Sequence, residues 1–331
     1  MLKRKLLIAM MLPCFLCFFA CNQKANDNVE DGDMLALVDA KLKKNPKNPE
    51  LHYERAVVLQ KRDRITDAIA SIKNAIKYDD DNVGYYIFAA DLYLRNGDLK
   101  ASYADLQKAL ELDPKSIEAY SKLGEISFFN RDYDRAIESI DKVIEMDPVN
   151  AKAHFMLGFL YKETGDSTNA VRNFRKVLEI DPEYADAYEE LGLLYAAHKN
   201  VLGVEYLTTA VNLRPNNVIA RYGLALLYQD LDDYAKAVEE YNKILVIDSA
   251  HANSLNNLGY IELLNGEYDN AIGFFDRALE ANPLFVEAID NKGYAYELKQ
   301  DFAKAKEYYQ RALNVDPGYK NSLEGLERIG K

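Results

Sequence analysis

Cysteine is confined to the first 21 residues of this 331-residue chain, at positions 14, 17 and 21. The rest of the chain therefore has no disulfide, no thiolate nucleophile and no cysteine ligand for a metal. Histidine is also scarce. The four histidines, at 52, 154, 198 and 251, never show the i, i+4 spacing that places two metal ligands on one helix face. No metal or cofactor is expected.

The chain also lacks the short motifs of the common enzyme classes. It has no GxxxxGK[ST] phosphate loop, no GxGxxG, no HExxH and no GxSxG. Adjacent carboxylates occur at Glu189 and Glu190, but in a segment rich in charge, and a catalytic pair needs one desolvated member. We therefore expect this pair to lie on a solvated helix face, and the protein not to be an enzyme.

Positive charge is in short supply. Lysine and arginine number 41 against 53 aspartates and glutamates, which gives a formal net charge of −12. Such a chain repels phosphate backbones and favours neutral or basic partners, so nucleic-acid binding is not expected. Hydrophobic residues make up 49% of the chain, enough for a sizeable core.

The N-terminal residues MLKRKLLIAMMLPCFLCFFACNQK are typical of a secretory signal, with a basic start and an apolar run from Leu6 to Ala20. This run is shorter than the ~20 residues that a membrane-spanning helix needs. Ala20 directly before Cys21 resembles the lipobox of bacterial lipoproteins, which implies a signal peptide of residues 1–20 and a lipid such as palmitate on Cys21. A plain secreted protein and an uncleaved anchor are the alternatives.

Residues 21–33 are polar and acidic, and we expect them to form a disordered tether. By the same resemblance, Asn22 in place of an aspartate favours the outer membrane. The resemblance thus implies a lipid-anchored protein of the bacterial cell envelope, and leaves open which side of the membrane it faces.

From residue 49 to residue 319 the chain divides into eight units (49–82, 83–116, 117–150, 151–184, 185–217, 218–251, 252–285 and 286–319). The eighth and the twentieth positions of every unit are small. They are Ala56, Ala90, Gly124, Gly158, Gly192, Ala225, Gly259 and Gly293, and then Ala68, Ser102, Ala136, Ala170, Gly203, Ala237, Ala271 and Ala305. Two helices approach closely only where facing side chains are nearly absent, so these positions predict the contact within a helical hairpin.

This period and its small-residue pattern strongly resemble the tetratricopeptide repeat (TPR). The resemblance implies an all-α fold, a right-handed α-solenoid of stacked helix–turn–helix units. Residues 34–48 look like a capping half-repeat and residues 320–331 like a capping helix, because terminal repeats must cover an otherwise exposed apolar face. The fifth unit is one residue short between its helices, which predicts an irregular step there.

In the family that this chain resembles, the first helix of each unit lines a concave groove through positions 2, 5, 6, 9, 12 and 13. Mapped onto this sequence, the middle of the groove carries an aromatic and basic patch, Phe128, Phe129, Lys152, Phe155, Met156, Phe159 and Lys162. Exposed apolar side chains are costly unless a partner covers them, so this is a candidate binding patch. The alternative is that these phenylalanines pack into the neighbouring repeat.

A second candidate patch consists of Asn256, Asn257, Tyr260, Asn291 and Tyr294. A carboxamide both donates and accepts hydrogen bonds, so a row of asparagines can hold an extended backbone without reading its side chains. The carboxylate clamp of some family members implies lysine at position 5 and asparagine at position 9, and neither occurs here. An acidic tail is therefore not the expected ligand.

These observations predict a membrane-tethered scaffold or adaptor whose groove binds a neutral or basic segment of another envelope protein. A surface carbohydrate-binding lipoprotein is the alternative, although the chain has no insertion between its units and no tryptophan to stack on a sugar. An enzyme with an unrecognised site is the third possibility, which the missing motifs disfavour.

Overall fold

The computed structural model describes residues 31–330, and over this range the fold is all-α, with eighteen helices and no strand. The predicted signal peptide, the predicted lipidation site Cys21 and residues 22–30 of the predicted tether lie outside the described residues. None of the described helices is both long and apolar enough to cross a membrane.

Eight pairs of helices follow one another along the chain. The first helices of the pairs are α2 (Pro49–Lys61), α4 (Val83–Arg95), α6 (Ile117–Phe129), α8 (Ala151–Thr164), α10 (Ala185–Ala196), α12 (Val218–Asp230), α14 (Ala252–Leu264) and α16 (Val286–Leu298). The second helices are α3 (Ile65–Tyr78), α5 (Leu99–Leu112), α7 (Tyr133–Met146), α9 (Ser167–Ile180), α11 (Leu202–Leu213), α13 (Tyr234–Ile247), α15 (Tyr268–Ala281) and α17 (Phe302–Val315). A single helix, α1 (Asp31–Lys44), precedes the pairs, and α18 (Lys320–Ile329) follows them. Helix α1 begins at Asp31, three residues before residue 34, where the capping half-repeat was expected to start.

Short polar side chains set many of the helix starts. Asp166, for example, accepts a hydrogen bond from the backbone N–H of Asn169 at 3.0 Å and so caps α9. Asn217 caps α12 in the same way, through the N–H of Ala220 at 3.1 Å. Such caps satisfy one of the backbone donors that the first turn of a helix leaves unpaired.

The turn inside each pair contains one residue with positive φ, always at the fifteenth position of the unit. Three of the eight are glycines and five are not: Gly97, Gly165 and Gly266, then Asp63, Arg131, Lys199, Asp232 and Gln300. A left-handed residue ends the first helix sharply and lets the chain reverse within a few residues.

The chain divides into two compact units, residues up to 126 and residues from 127 onwards. The first contains α1 to α5 and most of α6, with buried side chains such as Leu59, Ile72 and Leu106 at its core. The second contains α7 to α18, and its core includes Phe174, Tyr241 and Phe275.

Large side chains fill the space that the small positions leave. A Cβ added to Gly158 would lie 2.8 Å from the ring of Phe174, and one added to Gly259 would lie 2.6 Å from the ring of Phe275. In each case the ring comes from the second helix of the same unit. The small eighth position is therefore needed because a ring, or Leu207 opposite Gly192, occupies the place of its side chain.

The fifth unit differs from its neighbours in its helices. The first helix α10 has 12 residues, against 14 in α8 and 13 in α12, and the second helix α11 has 12, against 14 in α9 and in α13. In addition, α12 packs closely against α10. A Cβ added to Gly223 of α12 would lie 2.6 Å from the side chain of Leu193 of α10. The missing residue thus shortens the hairpin.

Candidate binding surface on the first helices

Within the second compact unit, the first helices carry both predicted patches. We define the first-helix surface by its side chains. They are those at positions 2, 5, 6, 9, 12 and 13 of α8, α10, α12, α14 and α16, together with Phe128 and Phe129 at the end of α6. The packing of each of these side chains decides which of them a partner can reach.

The aromatic patch is partly exposed at one end. Phe129 is 44% exposed, and Phe128 is half-buried. The ring of Phe128 meets that of Phe159 edge-on at 5.7 Å and lies 6.0 Å from that of Tyr133. Aromatic rings prefer such tilted contacts, so these side chains form one cluster.

Phe155 and Met156 belong to the core. They are only 9% and 8% exposed. The ring of Phe155 stacks on Tyr184 at 5.1 Å and lies 5.4 Å from Phe174, among side chains of the fourth and fifth units. The alternative interpretation, packing between repeats, is therefore correct for Phe155, and neither residue offers an exposed surface to a partner.

The two lysines of the patch have different surroundings. Lys152 is exposed. Lys162 forms an ion pair with Glu190 at 2.5 Å, and its ammonium group lies 5.0 Å from the centre of the Phe159 ring. Both side chains are largely buried, and the pair links α8 to α10.

Two further carboxylates of α10 have partners at the end of the same unit, in the segment between α11 and α12. Arg214 donates two parallel hydrogen bonds to Asp186, at 2.5 and 2.9 Å. The side-chain amide of Asn217 donates to Glu189. Burial raises the pKa of the Glu189 carboxyl to about 7, although the hydrogen bond from Asn217 opposes this shift.

The prediction that Glu189 and Glu190 lie on a solvated helix face is wrong. Glu190 is 8% exposed, and Glu189 is half-buried. Their partners are distant in sequence, each 28 residues away, so the local charge of the segment gave no sign of them. Glu190 thus joins the fifth unit to the fourth, whereas Glu189 is held by the residue that caps α12.

The asparagine patch forms a hydrogen-bonded network. Asn257 donates to the hydroxyls of Tyr222, at 3.2 Å, and Tyr241, at 2.9 Å. Asn256 donates to Asn257 at 3.4 Å, and Asn291 donates to Asn256 at 2.9 Å. Both N–H groups of Asn257 are thus used inside the protein, and the network joins the sixth, seventh and eighth units.

The sequence reasoning missed the two tyrosines of this network. Tyr222 stands at position 5 of the sixth unit, in register with Asn256, and this equivalence could have identified it. Tyr241 is fully buried at position 24 of the same unit, a place that predicts only packing. Burial raises the pKa of Tyr222 to about 12, so its hydroxyl stays protonated at neutral pH.

Three apolar side chains stand exposed beside the network. Tyr260 and Tyr294, both at position 9, are each 38% exposed, and Leu264 at position 13 is 51% exposed. The guanidinium of Arg328 lies 5.7 Å from the centre of the Tyr294 ring. Leu264 was not among the predicted site residues, although its position in the unit marks it as part of the first-helix surface.

Among residues 31–330, no group of three or more histidine, cysteine, aspartate or glutamate side chains is arranged to hold a metal ion.

Comparison with protein families gives matches along most of the repeat region. Profiles described as tetratricopeptide repeat match residues 117–150, 140–172, 202–252, 222–284 and 286–319, and a profile described as TPR repeat matches residues 90–128 and 160–199. A search of curated protein sequences gave no match.

Solved structures of the same fold are numerous. The C-terminal part of a TPR repeat-containing protein from Cytophaga hutchinsonii is 18% identical, with a TM-score of 0.60, and the match covers 73% of this chain and 99% of that one. A tetratricopeptide repeat protein from Parabacteroides merdae is 17% identical, with a TM-score of 0.55 and coverage of 75% and 99%. At these identities the likeness shows the fold alone.

Proteins built from this repeat are generally non-enzymatic scaffolds that bind peptides or proteins. The helix pairs, the small positions under large rings and the profile matches agree on one conclusion. The chain belongs to the tetratricopeptide repeat family, as an all-α helical repeat solenoid.

Proposed function

We propose that the chain is a lipid-tethered scaffold of the bacterial cell envelope that binds an extended, neutral or basic segment of a partner protein on its first-helix surface. It acts by binding and not by catalysis. The observation that carries this proposal is the exposure of Tyr260, Tyr294 and Leu264 beside the asparagine network. Exposed aromatic and apolar side chains that stand together are typical anchors of protein interfaces.

The network supports the proposal because it makes these anchors rigid. Asn257 and Asn291 tie α14 to its neighbours on both sides, so Tyr260 and Tyr294 project from helices that are held in place. A surface that is ordered before binding loses less conformational entropy when a partner arrives.

Charge supports a neutral or basic partner. Glu287 is exposed on the first-helix surface, on the same helix as the anchor Tyr294. The cation beside Tyr294, Arg328, is already paired with Glu297 at 2.8 Å. Negative charge on such a surface attracts basic segments and repels acidic ones.

Photo-crosslinking in cells of the native host tests the binding surface. A photoreactive phenylalanine analogue would replace Tyr260 or Tyr294, and Lys306, exposed on the second helix α17, would be the control position. We expect one envelope protein to be attached from the first two positions and not from Lys306. Equal labelling from all three positions, or labelling from Lys306 only, would contradict the proposal.

The tether is tested separately at Cys21. Two or more acyl chains hold a protein firmly at a membrane, whereas one holds it only marginally. We expect the Cys21→Ala variant to lose metabolic labelling with radioactive palmitate and to leave the membrane fraction. Retention of both properties would rule out a lipid at this residue.

A further inference from the structure

The outer face of α9 carries a basic cavity that the proposed function does not use. The cavity, of about 510 Å³, is lined by Ser167, Thr168, Val171, Arg172, Arg175, Glu179 and Tyr195. Both arginines are exposed, and Arg175 donates a hydrogen bond to the Tyr195 hydroxyl at 2.6 Å. Because the whole chain has a net charge of −12, two arginines one turn apart are a local reversal of its charge.

The outer face of α7, the preceding second helix, has the opposite charge. Its cavity, of about 380 Å³, is lined by Asp134, Ile137, Glu138, Asp141, Lys142 and Glu145. Lys142 pairs with Glu145 at 2.7 Å, so the face keeps an excess of carboxylates. Asp134 and Glu138 are exposed, and Asp141 is half-buried.

The two faces correspond position by position. Glu138 and Arg172 occupy the same position in the third and fourth units, and so do Asp141 and Arg175. Neighbouring second helices therefore present a carboxylate pair and a guanidinium pair in the same arrangement. An arginine fork binds a carboxylate through two parallel hydrogen bonds, so these faces match in chemistry as well as in charge.

We propose that the outer faces of α7 and α9 form a self-complementary contact between two copies of this chain. In this arrangement the two-fold axis lies between the two copies and runs parallel to α7 and α9. It places α7 of each copy against α9 of the other. Glu138 and Asp141 of one copy then meet Arg172 and Arg175 of the other, twice over. This is the condition for an isologous dimer, in which one surface meets an identical surface.

The partner at this surface is a second copy of the chain, because the chain itself carries both the arginines of α9 and the carboxylates that match them on α7. An anionic partner of another kind would explain the arginines of α9 but not the matching carboxylates of α7. The contact uses second helices, so it leaves the first-helix surface of both copies accessible. It is weak and sensitive to salt, because exposed ion pairs are screened by added ions.

Sedimentation analysis of the purified mature chain tests the contact. We expect a dimer at low salt whose dissociation constant rises about tenfold between 50 and 500 mM sodium chloride. Arg172→Glu with Arg175→Glu should give a monomer, and so should Glu138→Arg with Asp141→Arg. An equimolar mixture of these two variants should give a heterodimer, and the chain with all four changes should again form a homodimer.

The matched control is Glu239→Arg with Asn242→Arg, which places arginines at the same positions of the sixth unit and should leave the dimer unchanged. Circular dichroism would check that every variant is folded. A wild-type chain that stays monomeric at low salt overturns the proposal, even if an acidic protein binds at Arg172. A mixture of the two variants that stays monomeric overturns it equally.

Discussion

At the scale of single residues, the turn between the paired helices is under backbone strain in five of the eight units. Gln300 has a φ of 63°, in the left-handed region where a side chain meets the following carbonyl oxygen. Glycine avoids this clash, and Gly97, Gly165 and Gly266 already hold the same position in other units. The strain therefore comes from the side chain at this position, because glycine adopts the same turn without it.

We expect Gln300→Gly to raise the free energy of unfolding by about 0.5–1 kcal/mol, because relief of the left-handed strain exceeds the extra entropy that glycine loses on folding. Gln310→Gly, at an exposed position inside α17, is the matched control and should lower the same quantity by about 1 kcal/mol. Urea unfolding followed by circular dichroism measures both. A loss of stability in both variants would contradict the account of the turn.

Glu189 should make stability depend on pH near neutrality. Burial raises its folded-state pKa from 4.5 to about 7, so between these values the folded chain holds the proton more tightly than the unfolded chain. Its contribution to stability is therefore fully present below pH 4.5 and is lost as the pH rises to about 7. A permanently neutral side chain at this position would not suffer the loss.

We expect Glu189→Gln to raise the free energy of unfolding by about 1–2 kcal/mol at pH 8 and to have little effect at pH 5. Glutamine keeps a side-chain oxygen that accepts the hydrogen bond from Asn217. The exposed Glu183→Gln is the control. Unfolding curves at the two pH values measure the difference, and an equal gain in both variants at pH 8 would speak against a buried Glu189.

At the scale of helices, the packing within a pair depends on the absence of a side chain. Gly259 of α14 lies under the ring of Phe275 of α15, whereas Gly273, also in α15, has no neighbouring atom within 4 Å of an added Cβ. Substitution of each glycine by alanine therefore separates the effect of helix propensity on stability from the effect of packing.

We expect Gly259→Ala to lower the free energy of unfolding by about 1–3 kcal/mol, because the methyl group displaces the Phe275 ring. The same substitution at Gly273 should raise it by about 1 kcal/mol, since alanine is the better helix former and has space there. Thermal unfolding of the two variants compares them directly. Stabilisation by both would mean that the ring moves aside at no cost.

The asparagine network should contribute to the joining of three units. Asn257→Ala removes the donor to both Tyr222 and Tyr241 and leaves their buried hydroxyls with one partner fewer. We expect a loss of about 1–3 kcal/mol in the free energy of unfolding. Asn253→Ala, exposed on the same helix, should change it by less than ~0.5 kcal/mol. Equal effects would show that the network adds nothing beyond helix propensity.

At the scale of the whole molecule, the fold was predictable because the same features recur in unit after unit. The small positions 8 and 20 alone predicted a helical hairpin, and the period predicted the family. The profile matches and the all-α structure confirm both predictions. The first helices begin at residues 49, 83, 117, 151, 185, 218, 252 and 286.

The details of the first-helix surface were harder to predict because they depend on contacts between residues far apart in the sequence. Position 5 is occupied by Phe155 in one unit and by Glu189 in the next, and the repeat pattern does not say which of them enters the core. Their environments come from Tyr184 and Asn217, which lie 29 and 28 residues further along the chain. Exposure therefore followed from the three-dimensional structure.

The central claim is that the first-helix surface binds an extended segment of a partner protein. The most direct test is to map the crosslinks by mass spectrometry, with the photoreactive residue placed in turn at Leu226, Tyr260 and Tyr294, the ninth positions of consecutive units. Our account predicts three attachment points in order along one short stretch of a single partner. Attachment points scattered over the partner, or found equally from the control position Lys306, would contradict it.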